Sequence, residues 1–305
     1  MKDQTHIVTG AFGYTGRYIA RELINRNIKV ITLSNALNRP DYFNGSVKKI
    51  EFSFDNHELL VNIMKQGSVL YNTYWVRFNC KEFNFNQAIT NSKKIINAAK
   101  EAGINRIVHI SVTNAEKGEG LEYFEGKKTI EDYIINSGLP YTIIRPALIF
   151  AEGDILINNI AWCLRRFPFF ILPGKGEYKL NPVFAEDLAK ACVDVVESEE
   201  NDIIDVVGPE CFTFKEFVEL IACSIDYKRP IISASPDITH LFSEFISLAV
   251  KDPVITRDEI KGLTRNLLYS GAKPAGLTKF SDWIKENSSS IGQKYAGEMI
   301  RRLYK

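Results

Sequence analysis

An α/β fold built on a doubly wound parallel sheet, with a smaller and mostly helical C-terminal region, follows from three observations. Short apolar runs alternate with helical patterns through the first half of the chain. A turn with glycines at 10, 13 and 16 joins the first apolar run to the first helix. Helical patterns dominate from residue 209 onward. Alternation of this kind buries a parallel sheet between two layers of helices, joined by right-handed crossovers.

The first strand runs through His6-Ile7-Val8-Thr9, and Arg17-Tyr18-Ile19-Ala20-Arg21-Glu22-Leu23-Ile24 continues as a helix. Gly10 permits the sharp turn out of the strand, Gly13 lets backbone approach a pyrophosphate, and Gly16 lets the helix pack on the strand. The helix start then offers free N–H groups and a positive dipole end to phosphates. Gly10, Phe12, Gly13, Tyr14, Thr15 and Gly16 are therefore the expected contacts of a nucleotide diphosphate. A glycine turn with no ligand is the alternative, but the strand before it and the helix after it supply the context such a site needs.

Further strands are read at 29–33 (Lys-Val-Ile-Thr-Leu), 47–52, 68–73, 106–111 and 141–145. Each is a short run rich in β-branched or aromatic residues. The clearest helices between them span 84–102 and 127–137, with Gly103 and Gly138 where helix C-caps belong. The pattern loosens after Phe150. Residues 151–183 read as an insertion with one helix, 184–197 as a helix, and 203–207 as another buried strand. The expected division is interleaved: 1–152 and 184–208 form a Rossmann-like nucleotide-binding domain, and 153–183 with 209–305 form a smaller substrate-binding region.

Composition narrows the function. A net charge of +1 over 305 residues gives no global field for nucleic acid. Five widely spaced cysteines, with no Cys-x-x-Cys pair, suit a reducing cytosol and argue against a disulfide framework or zinc site. The four histidines show no metal-ligand spacing, so no metal is expected. The chain starts Met-Lys-Asp-Gln-Thr-His directly before the first strand, leaving no room for a signal peptide. No run of eighteen apolar residues exists to span a membrane. Residues 160–172 and 238–250 are locally apolar and read as amphipathic helices; contact with a membrane surface is the lesser reading. The expectation is a cytoplasmic protein, monomeric or homodimeric, with a small-molecule substrate.

The chemistry concentrates in Tyr123 and Lys127. Four-residue spacing puts both on one helix face. A free tyrosine, with a pKa of about 10, exchanges protons poorly at neutral pH, and a lysine cation beside it favours the phenolate. The same lysine can hold a nicotinamide ribose. Ser111, ending the fifth strand, is placed to bind a substrate oxygen, with Thr113 as the alternative. A surface helix with a solvated lysine would also produce this pattern. The fourth strand runs out into Asn72-Thr73-Tyr74-Trp75-Val76-Arg77 at the end that faces the ligand crevice of such sheets. Trp75 and Arg77, with Tyr74, are candidates for the lining of a substrate pocket; core packing of Trp75 and a surface Arg77 are equally consistent. Asn158, with its neighbour Asn159, is a polar interruption of an apolar helix, facing either substrate or a packing partner.

At this point the chain resembles the short-chain dehydrogenase/reductase superfamily, in its extended and atypical branches. The resemblance rests on Thr9-Gly-x-x-Gly-x-x-Gly16, Ser111, Tyr123-x-x-x-Lys127 with Glu131 following, and Gly138-Leu-Pro-Tyr-Thr-Ile-Ile-Arg145-Pro146. It extends through Pro182-Val-Phe-Ala-Glu-Asp187-Leu-Ala to the ending Gly292-Gln-Lys-Tyr295-Ala-Gly-Glu298-Met-Ile-Arg301-Arg. That ending is similar to NAD(P)H-binding proteins of the kind that includes the NADPH-binding accessory subunit of respiratory complex I; NmrA-like proteins are more distant. The resemblance implies a nicotinamide cofactor, with Thr73, Lys127 and Pro146 among its contacts, and an acid/base tyrosine at Tyr123. It implies an oxidoreductase or epimerase-like enzyme acting on a small carbonyl or hydroxyl compound. The alternative is a non-catalytic NADPH-binding redox sensor or assembly component.

The cofactor form is read at the end of the second strand. NAD sites usually place a carboxylate there for the ribose 2′-hydroxyl. Here the sequence reads Leu33-Ser34-Asn35, with Arg39 close behind and no carboxylate before Asp41. A guanidinium suits a 2′-phosphate, so NADP(H) is favoured over NAD(H), with Ser34 and Arg39 at the adenosine ribose. Arg39 as a surface-loop charge is the plainer alternative.

Overall fold

The computed structural model describes residues 4–34 and 39–303. Asn35, at the end of the second strand, lies outside the described residues. The central sheet has seven strands in the order β11-β6-β5-β4-β1-β2-β3. They are β1 (Thr5–Thr9), β2 (Lys29–Leu33), β3 (Val47–Ile50), β4 (Val69–Asn72), β5 (Arg106–Ile110), β6 (Tyr141–Pro146) and β11 (Asp202–Val206). Every pairing in this sheet is parallel, with Ile7 beside Ile31 and Leu70, and Leu70 beside Ile107. The strand order reverses at β1, as in nucleotide-binding doubly wound sheets.

Helices cover both faces. On one side α2 (His57–Met64), α3 (Phe85–Glu101) and α4 (Glu122–Ile135) pack in series. They bury Leu60, Met64, Ile95, Ala99, Ile130 and Ile134 against Ile7, Leu70 and Ile107. On the other side α1 (Tyr14–Asn25) packs on α6 (Ala185–Asp194), where Arg26 pairs with Asp194 at 2.7 Å. Helix α3 starts where Asn84 accepts from the Gln87 N–H, and its chain reverses at Gly103, with φ +73°. Only glycine takes that left-handed conformation at little cost.

The chain divides into two compact units. One runs to Pro146 and includes Ala185–Val206; the other is Ala147–Phe184 with the chain from Val207 onward. The second unit contains α5 (Leu156–Arg166), α7 (Phe214–Ser224), α8 (Pro236–Val250), α9 (Arg257–Thr264), α10 (Phe280–Glu286) and α11 (Glu298–Leu303). Its core is aromatic: Phe150, Phe214, Phe217 and Phe280 pack with Leu180, Ile221 and Ile284. Short strand pairs complete it: β7 (Ile149–Phe150) with β10 (Val183–Phe184), β8 (Phe170–Pro173) with β13 (Ile231–Ala234), and β9 (Lys179–Leu180) with β12 (Phe212–Thr213).

One reading of the sequence is corrected here. Residues 160–172 are not one helix: α5 stops at Arg166, and 170–173 is strand β8. Phe167 is extended, with ψ 151°, because it precedes Pro168 and the proline ring excludes the helical conformation there. The helical pattern that is clearest at 127–137 belongs to a helix, α4, that begins at Glu122 and so contains Tyr123, as its pairing with Lys127 requires.

Candidate active site

The glycine turn is shaped by its own backbone. Gly10 has φ +69°, and the Gly13 N–H donates to the Gly10 carbonyl at 2.7 Å. Thr32 braces the turn from β2: its hydroxyl accepts from the Ala11 N–H at 3.0 Å and donates to the Val8 carbonyl at 2.7 Å. A Cβ on Gly16 would lie 2.3 Å from the Gly10 carbonyl oxygen, so only glycine allows α1 this close to the strand end. Gly13 is the N-cap of α1, with no side-chain hydrogen bond onto the first turn and no acidic residue within it. A helix start of this kind, with its dipole end and no carboxylate, suits an anion. Thr15 and Tyr14 occupy that first turn, and the Phe12 ring packs edge-on against Phe43.

Arg39 comes back over this turn. Its Nη1 donates to the Phe12 carbonyl at 3.3 Å and lies 4.0 Å from where a Gly13 Cβ would be. Ser34 is buried at the end of β2, its N–H on the Ile50 carbonyl. Asp41 is occupied elsewhere. It accepts from the Phe43 and Gly45 N–H groups at 2.8 Å, which hold its carboxyl below the usual range.

The C-terminal ends of β1, β4 and β5 are tied by a buried polar chain. The Thr9 hydroxyl accepts from the Thr73 N–H at 2.8 Å, and the Thr73 hydroxyl donates back to the Thr9 carbonyl. Asn72 Nδ2 meets His109 Nδ1 at 3.2 Å. His109 is fully buried, and its Nε2 has no hydrogen-bond partner among the described residues. Burial, reinforced by Lys127, holds the imidazole well below its ordinary pKa and therefore neutral. No motif in the sequence singles out His109. Its signal was a polar residue inside the apolar run 107–110, a strand buried on both faces, where polar groups must find partners.

Lys127 and Tyr123 sit one helical turn apart on α4. Lys127 is buried, and its Nζ donates to the Ile110 carbonyl at 2.7 Å, next to Ser111. Burial pushes its pKa down to about 7, against an opposing pull from Glu131. Ser111 is also buried; its N–H bonds the Ile144 carbonyl, and its Oγ has no hydrogen-bond partner among the described residues. The Thr113 N–H donates to the Pro146 carbonyl at 3.1 Å, joining the ends of β5 and β6.

Trp75 joins these groups. The Lys127 ammonium stands 4.8 Å over its ring, and the Tyr123 ring meets it edge-on at 6.3 Å. Phe85 stacks on it at 6.2 Å. A Cβ on Gly126 would come within 2.9 Å of the indole, so glycine there lets Trp75 lie on the helix. Arg77 lies farther along the same segment, its guanidinium 5.7 Å from the Phe78 ring. Among the described residues no cluster of His, Cys, Asp or Glu could hold a metal.

Asn158 lies in the second unit and contacts backbone. Its Nδ2 donates to the Lys294 carbonyl and its Oδ1 accepts from the Gly292 N–H at 3.0 Å. Asn159 does the same with both backbone groups of Ala296. The two amides clamp the 292–296 segment onto α5.

The comparisons agree with this architecture. Residues 10–159 match the NAD(P)H-binding family. The 40 kDa subunit of mitochondrial NADH-ubiquinone oxidoreductase from Neurospora crassa is 25% identical over 84% of this chain and 70% of its own length. The alpha subcomplex subunit 9 of NADH dehydrogenase from Arabidopsis thaliana is 24% identical over 86% of this chain and 70% of its own. Among solved structures, the triphenylmethane reductase of Citrobacter sp., complexed with NADP(H), superposes with TM-score 0.74 at 16% identity, over 92% of this chain and 99% of that one. A nucleoside-diphosphate-sugar epimerase from Staphylococcus aureus gives 0.71 at 16% identity, over 96% and 99%. Residues 10–159 therefore carry an NAD(P)H-binding domain, and the chain has the fold shared by these reductases and epimerases.

Proposed function

We propose that the chain binds NADP(H) across the 10–16 turn and acts as an oxidoreductase on a small carbonyl or hydroxyl compound. The observation that carries this reading is the grouping at the sheet's C-terminal edge: the unpartnered Ser111 Oγ, the buried Lys127 anchored one residue away, and Tyr123 one turn before it. The residues fit the cofactor. The space a Gly13 side chain would fill lies between the Gly10 carbonyl and the Arg39 guanidinium, beside the uncapped start of α1. Arg39 favours the 2′-phosphorylated form.

Bound nicotinamide supplies the hydride that reaches the substrate carbon. Ser111 Oγ donates a hydrogen bond to the substrate oxygen and orients it. Tyr123 delivers its hydroxyl proton to the same oxygen, so a carbonyl gains one hydride and one proton and leaves as an alcohol. The Lys127 ammonium favours the phenolate that remains. NADPH oxidation across a panel of aldehydes and ketones tests this. Tyr123→Phe should lower turnover by roughly 10²–10⁴-fold while keeping NADPH affinity. Unchanged turnover in Tyr123→Phe refutes the proton transfer.

A second reading, NADPH binding without turnover as a redox sensor or assembly component, is favoured by Trp75. Its indole covers the Lys127 ammonium and abuts Tyr123, and the relatives include subunits of a respiratory assembly. No oxidation across the panel, with NADPH still bound, supports this reading.

A further inference from the structure

Helix α8 is built inside out. Its buried positions hold Thr239, Ser243 and Ile246, two of them small and polar. The Ser243 hydroxyl reaches the carbonyls of His240 and Ile255. Its outward side carries Ile238, Leu241, Phe245 and Leu248, exposed by 56, 72, 74 and 78%. Large apolar side chains scattered singly on a surface are ordinary, but four in one stripe are not.

The spacing of the stripe is informative. Steps of three, four and three residues are the a/d seam of a helix that packs against another helix. The stripe presents on the order of 600 Å² of apolar surface, close to the ~800 Å² per partner of a standard interface. Charges choose the arrangement. Asp237 stands exposed at the first turn and Lys251 exposed at the C-cap, with no Lys or Arg between them. A helix lying on an anionic bilayer carries Lys and Arg along its polar face, which α8 lacks.

We propose that α8 is a homodimer interface, in which two copies of this chain pair their α8 helices antiparallel about a two-fold axis near Ser243. Ile238 then faces the partner's Leu248, and Leu241 faces the partner's Phe245. Asp237 lies by the partner's Lys251, and each helix N-terminus lies by the other's C-terminus, which is favourable for both dipoles. Glu244, near the axis, lies 4.0 Å from His240 of its own chain. A parallel pairing would instead set Asp237 against the partner's Asp237. The contact is isologous and closed, so it stops at two copies.

Sedimentation velocity of the full chain over a concentration series tests the proposal. The wild type should sediment as a dimer that dissociates on dilution. Leu241→Glu with Phe245→Glu should weaken dimerisation at least a hundredfold and give a monomer with unchanged circular dichroism. Leu277→Glu, at a residue 91% exposed outside this helix, should remain dimeric. Asp237→Lys should weaken the dimer several-fold, and adding Lys251→Asp should restore it. A monomeric wild type at every concentration overturns the proposal. So does a dimer that survives the paired glutamates, a charge swap that restores nothing, or a monomeric wild type that floats with phosphatidylglycerol vesicles.

Discussion

In the proposed function, Arg39 carries the choice between the two dinucleotides. Its guanidinium reaches the Phe12 carbonyl, while both carboxylate oxygens of Asp41 are engaged by N–H groups of its own turn. Arg39→Ala should therefore weaken NADPH binding by about tenfold or more, the loss of one charge-assisted contact, and leave NADH nearly unchanged. Equal losses for both cofactors by calorimetry would remove Arg39 from the 2′-phosphate. Lys127 makes a second residue-scale prediction. Its ammonium titrates near 7 in the folded chain and at its ordinary 10.5 once unfolded. Between those values the unfolded chain binds more protons, so this residue makes stability rise with pH across that window. The buried thiols of Cys163 and Cys192, pushed up by burial, act oppositely above pH 9. Urea unfolding of wild type and Lys127→Met should thus diverge from pH 7 upward, with the wild type gaining. Parallel curves would place Lys127 in a wetter setting. The types and spacing of Tyr123 and Lys127 were visible in the sequence. That Trp75 lies on both was not, because its seat depends on Gly126, whose missing Cβ acts across the helix rather than along the chain.

At the scale of elements, the parallel strands were readable because burial on both faces leaves nearly continuous apolar runs: 29–33 coincides with β2, and 106–111 overshoots β5 by one residue. The strands of the second unit were not. Several are two residues long, too short to show any period. The first turn of α4 rests on the Tyr123–Lys127 spacing alone, because Leu121, its N-cap, makes no side-chain cap and gives no capping signal. What fixes α4 on β6 is a bidentate pair: Arg145 Nε and Nη2 reach Glu131 at 2.9 and 2.6 Å, with Glu116 also on Arg145. Glu131 is fully buried, so removing its partner strands a charge. Arg145→Met should cost about 3–5 kcal/mol, read as a lower urea midpoint. The double variant Arg145→Met with Glu131→Leu should recover most of it. A loss below about 1 kcal/mol in the single variant would mean that the pair contributes little.

For the whole molecule, the sheet order sets the site where it is. The reversal at β1 opens the crevice at the carboxyl ends of β1, β4 and β5, and the glycine turn, Thr73 and Ser111 all stand there. In the proposed function this edge binds a nicotinamide dinucleotide through the 10–16 turn. Calorimetric titration of NADPH into the wild type and into Gly13→Val tests it most directly, with thermal unfolding of both to confirm the fold. The wild type should bind NADPH, and the folded variant should show no detectable binding, because the valine side chain fills the space left for the phosphates. Undiminished NADPH affinity in a folded Gly13→Val protein, or no binding by the wild type, would contradict the account.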